Sequence, residues 1–446
     1  MVNAECGMRN ARCHAERSEA SQSREQTLRF AQGDNHSAFV VAFGRAALAL
    51  TSILGLTAAM ADVRPADRET EVAVWTVEPQ AVRGRLVAFS LRDGAIVRTE
   101  ADKRNIPTAD IIRITSPGAP GDMPGEGDRD SWIITLTWGD LLSGRVIAAH
   151  GESLVIDNPV LGEVAVPLEA VARIASSQAA AGAHRAAAQW LDHGRPTDDD
   201  RVLLTNGDVL HGFISAIDAD GIAIDTGGGS TTAPFRLVVA ARLAHPAPTA
   251  PPHPSLILTL RDGGRLTATA LDWVDAGVEA RLRAGVAVHI DADRIIAVEV
   301  VGGRWEWLSE QRPVSYEQAP MLGLGWDFAP DRNVLGGPIT VGGEGYERGI
   351  GVHSRSNLVF ELNGAYREFV TSYGLDDDSG PLADVTVMVL VDGQRRFEKT
   401  HVRRGTLFGP VRVDLSHAGR IELIVDYGDN GDLQDRFDWV EAGLIR

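Results

Sequence analysis

Short runs of alternating apolar and polar residues dominate the chain, the period-two signature of half-buried β-strands. Ile134-Thr135-Leu136-Thr137 and Val202-Leu203-Leu204-Thr205 are two such runs. Each leads into a Gly-Asp turn and then a second strand with a glycine inside it. The two segments read Gly139-Asp140-Leu141-Leu142-Ser143-Gly144 and Gly207-Asp208-Val209-Leu210-His211-Gly212. Each ends on a closing strand, Val171-Ala172-Arg173-Ile174 or Ala240-Ala241-Arg242-Leu243. An earlier unit shares the inner glycine as Gly84 and closes on Ile112-Arg113-Ile114. A fourth opens with Leu258-Thr259-Leu260-Arg261-Asp262-Gly263 and carries Ala268 where the inner glycine stood. From that position to the closing arginine (Ala297 in the fourth unit) the separations are 29, 29, 30 and 29 residues. The repeat predicts four β-units, 72–116, 132–176, 201–245 and 255–301.

A Gly-Asp turn after an alternating run is a hairpin signal, and a glycine inside the next strand permits a bend or bulge. Bent strands curl a short antiparallel sheet toward a small barrel. The pattern resembles Sm-like or SH3-like barrels in architecture. Ala268 predicts a straighter strand or a shifted bulge in the fourth unit. Adjacent units are expected to pair and hide their edge strands. Between units lie a Pro/Gly/acid segment from Ser116 to Asp130, an Ala-rich stretch from Gln178 to Ala188, and a polyproline-type linker, 246–254.

Beyond Gly303 aromatic residues gather, at Trp305, Trp307, Tyr316, Trp326, Phe328 and Tyr346. Alternation then marks Leu358/Phe360/Leu362, Val385/Val387/Val389/Val391, Val411/Val413/Leu415 and Ile421/Leu423/Val425/Tyr427, with turns at Asp392-Gly393 and Asn430-Gly431. About eight strands over residues 302–446 predict a β-sandwich of the jelly-roll kind. The fold expected is all-β, tandem small bent-sheet or barrel repeats followed by this sandwich.

At the other end, Arg45, the apolar run Ala46–Leu56 and Ala59-Met60-Ala61 have the order of a secretory signal over residues 38–61. The mature chain is then expected to start near Asp62 and to be periplasmic or extracellular, with no integral membrane segment after cleavage. Residues 1–37 resemble the conceptual translation of a dispersed intergenic repeat and are expected to be disordered or to precede the true start. Both cysteines, Cys6 and Cys13, fall in this stretch, so the body holds neither a disulfide nor a cysteine zinc site. The 446 residues carry 43 basic and 61 acidic side chains, a net charge of −18. That balance lacks the electrostatic footprint of a nucleic-acid binder.

The C-terminal segment also carries motifs. Tyr346-Glu347-Arg348-Gly349-Ile350-Gly351-Val352-His353-Ser354-Arg355-Ser356 resembles the G-I-G-x-H-x-x-S segment of the NPCBM family, the novel putative carbohydrate-binding module. Tyr366–Phe369, Gly374–Asp377, Val387–Gly393 and Asp435–Ala442 resemble its later motifs in order. The resemblance covers about residues 305–446 and implies a galactose-binding-like β-sandwich, from a family whose members accompany glycoside hydrolases on exported proteins. It says nothing of residues 62–300.

Sugar recognition needs an aromatic face for CH groups and charged or amide groups for hydroxyls. Trp326, Tyr346, Arg348, His353 and Asp376 are therefore expected to share one shallow patch. His353 bonds either a loop carbonyl or a sugar hydroxyl. Asp376, Asp378, Asp438 and Glu441 are candidate oxygen ligands for a structural calcium ion, or else a solvated acidic surface. No G-x-S-x-G elbow, H-E-x-x-H or phosphate loop occurs, and no carboxylate pair is marked by its context as a glycosidase couple. The reading is a non-catalytic protein that binds a glycan or polysaccharide. The alternative is a protein-interaction scaffold among envelope proteins, and the third is an enzyme or accessory of glycoside hydrolysis.

Overall fold

The computed structural model describes residues 70–117, 131–150, 152–177, 199–218, 220–244, 253–274, 277–321 and 325–446. The secretory-signal segment 38–61 and the stretch 1–37 lie outside the described residues. Residues 65–446 form one compact unit. Among the described residues, no helix is long and apolar enough to cross a membrane.

The first twenty strands fall into four groups of five. The first group is β1 (Thr70–Thr76), β2 (Val82–Ser90), β3 (Gly94–Arg98), β4 (Lys103–Ile106) and β5 (Ile111–Thr115). The second is β6 (Trp132–Leu136), β7 (Leu141–His150), β8 (Ser153–Asn158), β9 (Gly162–Pro167) and β10 (Val171–Ser176). The third is β11 (Asp200–Leu204), β12 (Val209–Asp218), β13 (Gly221–Thr226), β14 (Gly229–Pro234) and β15 (Val238–Arg242). The fourth is β16 (Ser255–Leu260), β17 (Arg265–Val274), β18 (Gly277–Leu282), β19 (Ala287–Asp291) and β20 (Ile295–Val301). In every group a three-residue 3-10 turn precedes the fifth strand, and the first strand pairs with both the second and the fifth.

The inner glycine marks a close approach of two strands. A Cβ at Gly84, Gly144 or Gly212 would lie 2.4, 2.5 or 2.1 Å from a carbonyl oxygen of the next strand. Only a residue without a side chain lets the two backbones approach so closely. Three residues further on, at Val87, Ile147 and Ser215, each strand carries a bulge. In the fourth group, with Ala268 in place of glycine, the bulge falls two residues earlier, at Thr269.

Edges are hidden by pairing between groups, and the partners are not all neighbours in sequence. β10 pairs with β15, joining the second and third groups, whereas β5 pairs with β20 and β2 with β17, joining the first and fourth. Trp273 and Phe89 face each other across the latter pairing, both 1% exposed. The second and fourth groups meet through Asp140, which accepts from Thr267 N and Oγ1 at 2.8 and 2.7 Å. Asp262 reciprocates, accepting from Ser143 Oγ and Asn158 Nδ2, both at 2.8 Å. The Gly-Asp turn of the second group and the Asp-Gly turn of the fourth thus lock one group to the other, while Asp208 of the third stays exposed.

The C-terminal part is a two-sheet sandwich. Its strands are β21 (Trp305–Trp307), β22 (Ser315–Gln318), β23 (Ala329–Pro330), β24 (Ile339–Val341), β25 (Glu344–Tyr346), β26 (Gly349–His353), β27 (Ser356–Glu361) and β28 (Glu368–Leu375). Then come β29 (Asp384–Val391), β30 (Gln394–Arg403), β31 (Phe408–Asp414), β32 (Arg420–Tyr427) and β33 (Arg436–Ile445). One sheet runs β23-β26-β33-β28-β31 with β21 added on β33, and the other runs β22-β27-β32-β29-β30. Alternate residues of both sheets, among them Val385, Val387, Val389, Leu423, Val425, Phe437 and Trp439, fill a common core. The hairpin β24–β25 lies outside both sheets.

One end of the sandwich is seated on the strand array. Val77 and Ile112 of the array pack with Trp305, Trp307, Val370 and Ile445. Arg113 pairs with Glu441, Arg304 with Asp110 at 2.8 Å, and Arg412 donates to the Val77 carbonyl at 3.0 Å.

Gly212→Ala should lower stability by about 1–3 kcal/mol, because the added methyl meets a backbone carbonyl that cannot swing aside. Gly227→Ala, with nothing within 4 Å of the added carbon, serves as the neutral control. Denaturant midpoints of the two variants, compared with the parent chain, check the difference.

Candidate functional site

The expected patch divides between the two ends of β26, roughly 15 Å apart at about 3.3 Å per strand residue. Tyr346 and Arg348 stand at the start of this strand, next to the array, and His353 ends it on the far side. That separation corrects the expectation of one shallow patch.

Arg348 is 6% exposed and is surrounded by carboxylates. It reaches Glu299 of β20 at 2.6 Å, Glu310 at 3.0 Å and Asp331 at 3.1 Å, and its guanidinium lies 5.5 Å from the Trp307 ring centre. Burial works against the charge, but the three acids outweigh it and hold the group above its ordinary value. Burial pushes the Glu310 carboxyl up, against the pull of Arg348. Arg348 therefore joins sandwich to array and presents no free fork to a ligand. Tyr346 packs on Ile339, Val341 and Val440. Burial first, then the charges of Glu441, Glu344 and Asp377, raise its hydroxyl pKa.

Asp376 is fully buried. It accepts from Thr340 N at 3.1 Å, Asp378 N at 2.9 Å and Asn333 Nδ2 at 3.4 Å, so it fixes the β24–β25 hairpin and the turn after β28. Asp438 lies beside it, also fully buried; no donor group reaches either of its oxygens, and when protonated it shares a hydrogen bond with Asp376. Burial, followed by the charge of Asp376, raises the Asp438 pKa well above the ordinary value, which favours the protonated acid. The four expected calcium ligands are not gathered. Glu441 turns outward to Arg113, and Asp378 is exposed. Among the described residues, the group that could hold a metal ion is Asp384, His401 and Asp429 instead.

The far end of the sandwich has a different character. Trp326 lies parallel to the His353 ring, with centres 5.4 Å apart and planes at 9°. His353 is buried, and its Nδ1 faces the Ser354 carbonyl at 2.9 Å. A carbonyl can only accept, so Nδ1 carries the proton and the ring is pinned. Trp326 is held by two backbone bonds: its N–H donates to Gln318 Oε1 at 3.0 Å, and its carbonyl accepts from the Tyr316 hydroxyl at 2.7 Å. Gln318 Nε2 in turn donates to the Ser354 carbonyl at 3.3 Å. Below lies Asp435, fully buried, accepting from Ser354 Oγ at 2.7 Å and Asp384 N at 3.2 Å. The rim carries exposed Met321, Leu382 and Leu433.

Sequence reasoning named Trp326 and His353 here but missed Gln318, Asp384, His401, Asp429 and Asp435. Asp435 opens the D-x-x-D-W motif, the one signal that could have marked it. His401 sits among exposed polar residues of β30 and gives no pattern.

Removing Arg348 strands three acids in a poorly solvated place. Arg348→Ala should therefore cost about 3 kcal/mol, and Arg348→Lys should recover only part of it, since a point charge cannot reach all three carboxylates. Denaturation of both variants measures this. Asp435 supplies a pH test. Burial raises it from 3.8 to about 7, with Asp432 and Asp384 adding to the effect and the bonds from Ser354 and Asp384 N opposing it. Between those values the folded chain holds a proton that the unfolded chain has released. Its stabilising contribution is thus full below the ordinary value and falls as pH rises through the window, by at most about 1.4 kcal/mol per pH unit. Urea midpoints at pH 5 and pH 7.5 should differ less in Asp435→Asn than in the parent chain.

No curated protein matches the sequence. Among solved structures, the CBM51 module of GH95 from Clostridium perfringens, determined with methyl-galactose, is 25% identical. The alignment covers 31% of this chain and 99% of that one, with a TM-score of 0.29. The CBM51-2 and INT domains of Clostridium perfringens ZmpB, determined with GlcNAc, are 24% identical over 41% of this chain and 42% of that one, at TM-score 0.30. Tandem CBM51 modules of a family 98 glycoside hydrolase from Streptococcus pneumoniae are 10% identical over 84% of this chain and 88% of that one, at TM-score 0.29. Residues 304–445, the sandwich with both β21 and the Trp326–His353 pair inside it, match the NPCBM/NEW2 domain.

Proposed function

We propose that this chain is an exported, non-catalytic carbohydrate-binding protein that takes a glycan at the loop end of its C-terminal sandwich. The observation that carries the reading is the Trp326–His353 stack. A half-buried indole, fixed by a pinned histidine beneath it and by Gln318 and Tyr316 beside it, is a flat apolar surface that needs no ordering on binding. The CH face of a sugar ring stacks on such a surface, and Gln318 and the partly exposed Arg355 offer polar groups nearby. The match of residues 304–445 to the NPCBM/NEW2 domain supports a sugar as the ligand.

The rest of the chain serves this end. The four five-stranded groups are SH3-like spacer units, and the segment 38–61 directs export to the periplasm or beyond. The ligand is a glycan of the envelope or its surroundings, held weakly at a shallow surface, on the order of 4–8 kcal/mol.

Retention of the full chain on immobilised glycans, with galactosides and N-acetylglucosamine as first probes, tests the reading. Trp326→Ala should weaken retention at least ~10-fold, the equivalent of about 1.4 kcal/mol. Tyr346→Ala, at the array end, should leave it unchanged. Equal retention by the parent chain and Trp326→Ala refutes the site. Retention on no glycan, together with co-purification of an envelope protein, refutes the function and supports the scaffold alternative.

A further inference from the structure

We propose that Asp384, His401 and Asp429 form a divalent-metal site of the zinc class on the loop end of the sandwich, independent of any glycan. His401 Nδ1 lies 3.1 Å from Asp384 Oδ2 and 3.9 Å from Asp429 Oδ2, and the three donor atoms all fall within 4.8 Å of one another. Two ligands about 2.1 Å from a shared zinc ion in tetrahedral array are roughly 3.4 Å apart, a value between the two distances from His401.

A second observation points to a ligand. Asp384 is only 1% exposed, yet its Oδ1 has no hydrogen-bond partner. A buried carboxylate oxygen left bare is costly, and a cation is one of the few things that satisfies it. That oxygen lies against Gly428, the residue before Asp429, where a Cβ would come within 2.9 Å of it. The Gly428 backbone is therefore packed closely on Asp384, which brings the neighbouring Asp429 to the same place. Asp384 is fixed at the start of β29 by its own N–H bond to Asp435 and by its carbonyl, which accepts from Gly428 N at 2.6 Å. His401 and Asp429 are exposed, so an ion can enter without unfolding anything.

One imidazole and two carboxylates suit zinc and its first-row neighbours, whereas calcium prefers an all-oxygen shell of six to eight ligands. Water completes the coordination. On binding, Nδ1 gives its lone pair to the metal and the ring keeps its proton on Nε2. Arg403 is the competitor: its Nη2 lies 3.3 Å from Asp384 Oδ2, but the side chain is mostly exposed and free to withdraw.

Calorimetric titration of the full metal-free chain with Zn²⁺, in two buffers of different ionisation heat, tests the assignment. The expected result is a saturable binding event in both buffers, weakened at least tenfold in both His401→Ala and Asp429→Asn, whose exposed positions spare the fold. Arg403→Gln should tighten it, and Ca²⁺ should not reproduce it. Unchanged Zn²⁺ titrations in both variants overturn the site. So does Ca²⁺ binding as tight as Zn²⁺ and indifferent to His401→Ala, and so does the absence of any binding.

Discussion

The guanidinium of Arg348 is the point on which the two halves of this protein are registered. It is almost wholly withdrawn from water, and its partners come from both sides: Glu299 from the last strand of the array, Glu310 and Asp331 from the sandwich. Desolvating a charge costs several kcal/mol, and the cost is met only when geometry supplies several acceptors at once. Three carboxylates and the face of Trp307 do so here. Such an arrangement is directional in a way that the apolar contacts of Trp305, Val370 and Ile445 are not. Moving β20 away from β26 would take from the buried Arg348 its shortest ion pair, so the sandwich is fixed in place on the array instead of tethered to it.

The array itself answers a different constraint. A five-stranded bent sheet of this size exposes edge strands, and unpaired edges invite association with other chains. The solution is to pair closing strand with closing strand, β10 with β15 and β5 with β20. The fourth group therefore folds back on the first, which places the C-terminus of the array beside its start. The Asp140–Thr267 and Asp262–Ser143–Asn158 bonds then hold the second group against the fourth. Buried carboxylates with several short donors carry orientation as well as energy.

Much of this was legible in the sequence because strands advertise themselves by a local period. The first, second and closing strands of each group, the close approach at Gly84, Gly144 and Gly212, and the two inner faces of the sandwich all follow from spacing within some thirty residues, whereas the third and fourth strands of each group carry no such repeat signal. What could not be read is whatever depends on residues far apart in the chain. Asp140 and Asp262 look like ordinary turn residues, and nothing in their neighbourhoods says that each bonds a different group. Arg348 stands in a glycine-rich motif beside a tyrosine and looks like a ligand fork. Its real partner, Glu299, is 49 residues away in a separate fold. Asp376 and Asp438 read as loop acids because hydrophilic composition marks exposure only on average, and both are buried.

The placement of the proposed site follows from which end of the sandwich is already taken. Strands β26, β28 and β33 all run between the array and the loops, so every residue on them belongs to one end or the other. At the array end the charges are matched: Arg348, Arg113 and Arg412 each meet an acid or a carbonyl, and two tryptophans are packed between the halves. At the loop end the balance is left open. Asp435 is pushed toward neutrality, Asp384 keeps a bare oxygen, and His401, Asp429 and Trp326 reach the surface with only part of their bonding capacity used inside the chain. Unspent polar capacity beside a fixed aromatic ring is what a binding surface requires, and it is costly to maintain in a purely structural one. The seat on the array thus does two things at once: it satisfies the charges that would compete for a ligand at one end, and it holds the other end outward with its loops free.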